Sequence, residues 1–397
     1  MLKIIENITL KRVNFYLLHV LVFLLSFQER IIPMTLVLFL FINLFAFSWE
    51  DRMYYFQKRK KYILAFIAYY VMSIIGMMYT LNVSEGLFDL EVKLSILLVP
   101  IFLLTSNVIH RYTVFGLIKT FLFGVSLAMV IQFILATINY QTTGNWDVYY
   151  YNLLSYFHHP AYFSMYTNFA IASLMVFIFH YRERIQFRHF FLLGFLVIGV
   201  YQLSSRNGLL TLAVLITYAF IHIIFPKLKW KKMLLAFFVT ILVSAGVLYP
   251  IAKYTKSIRT VEVNTEKSSS GVRLAMWKVT MPVVLDNFWW GVGTGDVNRE
   301  LQTEFAKNKI VRAVRDGLNV HNQFLQTQVS LGIFGTLILI LAIVYPFYVS
   351  VKKGKLFFPL FAVILVINFL TESVLNTQAG VIYYAVLNGI LFFTYEE

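Results

Sequence analysis

Apolar runs of about 17–25 residues recur along the whole chain, each bounded by charges or turn residues, and that is the length a helix needs to cross a bilayer. About twelve can be marked. They lie near 13–28, 31–48, 61–81, 87–106, 113–138, 161–180, 189–205, 207–225, 232–250, 322–349, 357–372 and 376–394. A soluble domain could not hide so much apolar surface: the sequence is 59% hydrophobic and only 13% charged. The expected fold class is an all-α polytopic membrane protein. Residues 1–250 would carry helices one to nine, 251–321 a large polar loop, and 322–397 helices ten to twelve. Lys3, Lys11 and Arg12 precede the first run, but no small-residue cleavage site follows, so a retained helix is expected.

Basic residues set the orientation. With the N-terminus in the cytoplasm and twelve alternating spans, the inner loops hold Lys58, Arg59, Lys60 and Lys61, then Arg182, Arg184 and Arg188, then "PKLKWKK" and "KKGK". Outer Lys and Arg are nearly balanced by acids, so the net charge of +15 is mostly cytoplasmic. This is the positive-inside pattern, with both termini inside and the basic face on anionic lipid headgroups. No basic stripe interleaved with aromatics stands outside it, which argues against nucleic acid as a partner.

Several chemistries are excluded. The chain has no cysteine, so thiolate metal sites, disulfides and a Cys nucleophile are out. His158 and His159 are adjacent and cannot share a helix face, and no other His spacing suits a metal. Without a Walker loop or a dinucleotide fingerprint, no nucleotide cofactor is expected. No internal or inverted repeat is visible, as many transporters would show.

The polar segment 251–321 lies outside the cytoplasm on this topology. It opens as a loose Ser-rich stretch. From Val272 to Val284 the apolar spacing is helical, "NFWWGVGTGD" is a tight turn, and "VNRELQTEFAKNK" reads as a surface amphipathic helix. A second outer loop, 139–160, is rich in Tyr, Asn and Thr. Aromatic rings beside amides and hydroxyls suit a carbohydrate, although an interfacial aromatic belt has the same composition.

Arg206 lies in the short turn "QLSSRNGLL", Arg273 at the start of a predicted helix, and His321 at the mouth of the tenth span. At about 100° per residue, His321, Leu325, Gln328, Gly332 and Gly335 fall on one stripe, where the glycines would let another helix pack close. A neutral imidazole there suits a general base, and two guanidinium groups nearby suit a pyrophosphate.

At these residues the sequence resembles a known family. "HNQFLQTQVSLGIFG" fits the His-Asn, nine-residue, Gly-x-x-Gly signature of O-antigen ligases. "SSSGVRLAMWKVTMPVVLDNFWWGVGTG" looks like the Arg…Trp…Gly-x-Gly region of the O-antigen ligase/polymerase superfamily, and "SSRNGLL" is similar to its Ser-Arg-x-Gly stretch. The likeness covers roughly 150–345. It implies a GT-C-type, metal- and ATP-independent glycosyltransferase of the bacterial inner membrane, inverting and acting on the periplasmic side. The implied donor is a glycan on undecaprenyl pyrophosphate and the implied acceptor is lipid A–core. Carried over by motif, Arg206 and Arg273 would hold the pyrophosphate and His321 would act on the acceptor hydroxyl, with Asn322, Gly332 and Gly335 in support.

Rivals remain for each role. The loop also contains Arg259, Arg299, Arg312 and Arg315, and either of the two just before the His, Arg312 or Arg315, could replace Arg273, while His158, His159 or Asp316 could replace His321. A polymerase extending a lipid-linked glycan would use the same donor handle. A protein O-oligosaccharyltransferase shares the region too. A transporter or flippase is disfavoured by the scarcity of charge within the spans, where Lys93 and Lys119 are the main exceptions.

Overall fold

The structure is a computed structural model and describes residues 2–27, 30–109, 111–181, 186–224 and 269–394. The predicted ninth span, the Ser-rich stretch before 269, Arg182, Arg184 and Arg259 fall outside these residues. Among the described residues the chain is helical, with no strand. In order the main helices are α1 (Leu2–Leu24), α2 (Ile31–Ala46), α3 (Trp49–Met77), α4 (Val83–Leu104), α5 (Arg111–Thr143), α6 (Pro160–Met175), α7 (Phe187–Leu203) and α8 (Arg206–Ile224). They continue with α9 (Ser269–Asp286), α10 (Val297–Lys307), α11 (Gln323–Lys352), α12 (Phe357–Phe369) and α13 (Gln378–Phe392).

Every predicted apolar run on described residues lies over one of these helices. The residues of 49–77, 113–143, 160–180 and 323–352 form helices long and apolar enough to cross a membrane, and 31–46, 187–203, 357–369 and 378–392 form shorter apolar helices. A polytopic membrane protein fits this architecture. Helices α6, α12 and α13 are the centre of the bundle and are buried almost throughout. Tyr166 stacks on Tyr383 there at 4.2 Å between ring centroids. Peripheral helices do the opposite: α2 exposes Val37, Phe41, Leu44 and Phe45. Such a stripe would be sticky in water and belongs in lipid. A polar stitch between α1 and α2 is satisfied within the bundle, since Asn14 donates to the Phe39 carbonyl and accepts from Asn43.

Some boundaries moved. The third run, expected from 61, starts at Trp49, where the Ser48 hydroxyl accepts from the Asp51 amide and caps the helix. Arg59 is therefore not a loop residue. It is buried and donates to the carbonyls of Leu104 and Ser106, satisfying the C-terminal end of α4. Residues 139–143 continue α5, and the ring of Tyr140 there gathers with those of Trp146 and Tyr149 within 6 Å.

Residues 269–320 make a small helical unit with a core of their own. Val272 and Met276 of α9 pack with Leu301 and Phe305 of α10, with Ala313, and with Val320 and Val329 at the start of α11. The spacing of Val297, Leu301 and Phe305 puts one stripe of α10 inward, as its amphipathic pattern requires. The turn between them, 287–296, reaches down to the bundle. Asp296 accepts from the amides of Leu81 and Asn82, Thr294 donates to the Ser73 carbonyl, and Tyr79 donates to the Trp290 carbonyl. This fixes the unit over the α3–α4 turn.

Candidate functional site

α11 begins where the unit meets the bundle. Asn322 is its N-cap: the side-chain oxygen accepts from the Leu325 amide at 3.0 Å. The Asn322 side-chain nitrogen donates to the Leu370 carbonyl at 3.1 Å, tying the helix start to the segment after α12. Gln323 repeats the tie by accepting from the Leu375 amide at 2.7 Å. His321 precedes the cap with φ 47°, a left-handed conformation that an L residue holds only when its surroundings impose it. Those surroundings are visible. Its amide donates to the Asn319 side chain, and Trp277 of α9 donates to the Val320 carbonyl at 2.7 Å.

So placed, the imidazole meets a carboxylate that the sequence reading missed. His321 Nδ1 lies 2.9 Å from Glu372 Oε2, and Arg273 Nη2 donates to Glu372 Oε1 at 2.7 Å. Arg273 Nη1 donates to the Thr371 carbonyl at 2.8 Å. Glu372 is largely buried, while His321 and Arg273 stay partly open. Burial alone would raise the Glu372 pKa. The hydrogen bond from His321 and the Arg273 charge outweigh it and hold the carboxyl below its usual value. An ionised carboxylate only accepts, so Nδ1 carries the proton, and in the neutral form of the ring Nε2 is the acceptor. Glu372 is the last residue of the predicted span 357–372 and lies just past the observed helix α12, 51 positions from His321 in sequence. Its one legible signal was a lone acid at the end of an apolar run.

Arg273 thus reaches the site, but two of its five N–H groups are engaged by the protein itself. Arg206 is exposed as the first residue of α8 and is not hydrogen-bonded to Glu372 or His321. Ser204, with φ 47°, makes the turn before it.

The rivals are otherwise engaged. His158 is buried, with Nε2 3.1 Å from the Leu25 carbonyl, and His159 caps α6 by accepting from the Ala161 amide. Arg312 and Arg315 are exposed on the short helix Val311–Arg315 and pair with Asp316. Arg315, by hydrogen bonding first, holds Asp316 below its usual pKa. Arg299 pairs with Asp296 and Glu300.

The glycines do something other than open a face for a second helix. Gly332 has φ 64° and ψ −164°, which breaks α11. A Cβ there would collide with the Trp289 carbonyl. Into the break fits the turn 287–293: Val292 donates to the Val329 carbonyl, Gly293 to Ser330, and Ile333 to Phe288. At Gly335 a Cβ would collide with the Leu331 side chain of the same kinked helix. The stripe drawn from His321 to Gly335 is therefore not continuous, because the helix changes course at Gly332. No group of His, Asp and Glu residues capable of holding a metal occurs among the described residues.

One family model, described as O-antigen ligase, matches residues 190–340, less than half of the chain. The matched segment contains Arg206, Arg273, His321 and both glycines, and ends before Glu372. No curated protein matches the chain. Over 190–340, then, the chain is similar to the O-antigen ligase family.

Proposed function

We propose that this chain is an O-antigen ligase-like glycosyltransferase. It would transfer a glycan from undecaprenyl pyrophosphate to lipid A–core, at the periplasmic face of the bacterial inner membrane. The observation that carries the reading is the His321–Glu372 contact. Glu372 fixes the imidazole with Nδ1 protonated, so that Nε2 can accept the proton of an incoming sugar hydroxyl. As that hydroxyl oxygen bonds to the anomeric carbon, the bond from that carbon to the pyrophosphate oxygen breaks and the leaving group departs with the electron pair. A single displacement of this kind inverts the anomeric centre. Arg206 suits the leaving pyrophosphate: it carries no ion pair among the described residues and stands at a helix N-terminus, where backbone N–H groups favour an anion. The N–H groups of Arg273 not used on Thr371 and Glu372 add positive charge on the Glu372 side. The activated donor supplies the driving force, so no ATP or metal enters the scheme. The inward bias of the basic loops supports a cytoplasmic N-terminus and a periplasmic site.

Deletion of the gene, with recovery of lipid-linked glycans, tests the reaction. Loss of ligation leaves full-length glycan on the carrier and bare lipid A–core. A single repeat unit on the carrier would instead identify a polymerase. No change in either pool would remove the chain from this chemistry.

A further inference from the structure

A polar cavity of about 80 Å³ opens between α3, α4, α10 and α11. At about 10–15 Å³ for each water-sized group, it holds several such groups. Its floor is a buried ion pair: Lys93 Nζ donates to Asp89 Oδ2 at 2.6 Å, with the lysine side chain only 4% exposed. An ammonium has three donors, and the other two meet no protein acceptor among the described residues. Asn376 also lines the cavity, and its enclosed side-chain oxygen has no partner among the described residues. Residues with spare donors and a spare acceptor thus border one space. Left so, each costs free energy that a ligand or water recovers.

Charge narrows the ligand. Glu85 and Asp89 both line the cavity against the single Lys93. An anion such as pyrophosphate would be repelled, and a cation would meet the ammonium. A group that both donates and accepts without net charge fits, and the hydroxyls of a sugar ring are such groups. The cavity is also joined to His321. Gln326, which lines it, accepts from the amide of Val320, the residue before His321. Asn376 follows Leu375, which is bonded to Gln323.

We propose that this cavity is a neutral-glycan subsite in which the Lys93–Asp89 pair and Asn376 read sugar hydroxyls. The proposal rests on the glycosyltransferase reading and adds where a sugar ring beside the reacting one is held. It can be tested without turnover. Purified full-length protein in lipid nanodiscs is probed by saturation-transfer NMR with the methyl glycosides of glucose, galactose and N-acetylglucosamine. At least one should bind, and inorganic pyrophosphate should not displace it. Asn298 is exposed at the cavity mouth, so Asn298→Trp closes it without disturbing a buried contact. That variant should weaken binding by about fivefold or more, what losing one net hydrogen bond produces. The paired variant Lys93→Met/Asp89→Leu removes both charges together and should do the same. If it does not fold, Asn298→Trp alone decides. No glycoside bound by the wild type, binding untouched by Asn298→Trp, or displacement by pyrophosphate would each overturn the proposal. Transfer that still depends on His321 alongside any of these results would sink the subsite alone. Transfer that persists in His321→Ala, with glycoside binding intact, would sink the catalytic reading instead.

Discussion

The two ends of the stretch 320–335 are built for different work. At the first end, Val320 to Gln323, the backbone is strained and tied down at several points, yet the His321 ring remains partly open beside a buried carboxylate. Toward the second end, Gly332 is closed completely, with the backbone of the 287–293 turn seated in the helix break. One end leaves an imidazole partly open beside a carboxylate, and the other is filled by backbone. A motif that reads as a single signature is thus a chemical group and, eleven residues later, the joint that holds the 269–320 unit on the bundle. Because the two ends act through different physics, substitutions should separate them: changes at the first should cost rate, and changes at the second should cost folding.

The largest separation is expected at the carboxylate. Glu372→Gln keeps the size and one hydrogen bond but no longer fixes Nδ1 as the donor. Transfer should fall about 10²-fold, at the low end of what a positioned acid–base group contributes, while the folded yield is unchanged. A near-normal rate would show that Glu372 only packs. At the other end, Gly332→Ala puts a Cβ into the Trp289 carbonyl at dihedral angles that glycine alone adopts easily. A loss of about 2 kcal/mol or more of stability is expected, read as a lowered thermal midpoint in detergent. Wild-type stability in that variant would mean the joint is adaptable.

Arg273→Lys should be milder than loss of Glu372, at about tenfold in rate. An ammonium keeps the charge but cannot reach Thr371 and Glu372 with two parallel donors. An unimpaired Lys variant would reduce Arg273 to a diffuse charge. The smallest effect concerns acid. Because the folded state depresses the Glu372 pKa, its contribution is complete above the ordinary value of 4.5 and disappears as pH falls through the depressed one. Thermal midpoints measured down to pH 3 should show this acid loss in the wild type and less of it in Glu372→Gln.

The helices were legible because apolar run length is a local property. So were the α10 stripe and the position of His321 ahead of α11. Glu372 was not, because nothing in its neighbourhood of the sequence points 51 residues back to an imidazole. Arg59 was misplaced for a related reason. A basic cluster reads as a solvated loop until the free carbonyls of Leu104 and Ser106 are known to lie against it. The role of the glycines was equally hidden, since the spacing of Gly332 and Gly335 suits a helix–helix contact as well as it suits a kink filled by another loop.

The most direct test of the whole reading compares His321→Ala and His321→Gln with the wild type in transfer of lipid-linked glycan to acceptor in liposomes. An amide can hold the acceptor hydroxyl, but it cannot take its proton at neutral pH. Both variants should fold, and both should lose about 10²–10⁴ in rate, with Gln nearly as impaired as Ala. A Gln variant that transfers at close to the wild-type rate would contradict the assignment of His321 as the proton acceptor.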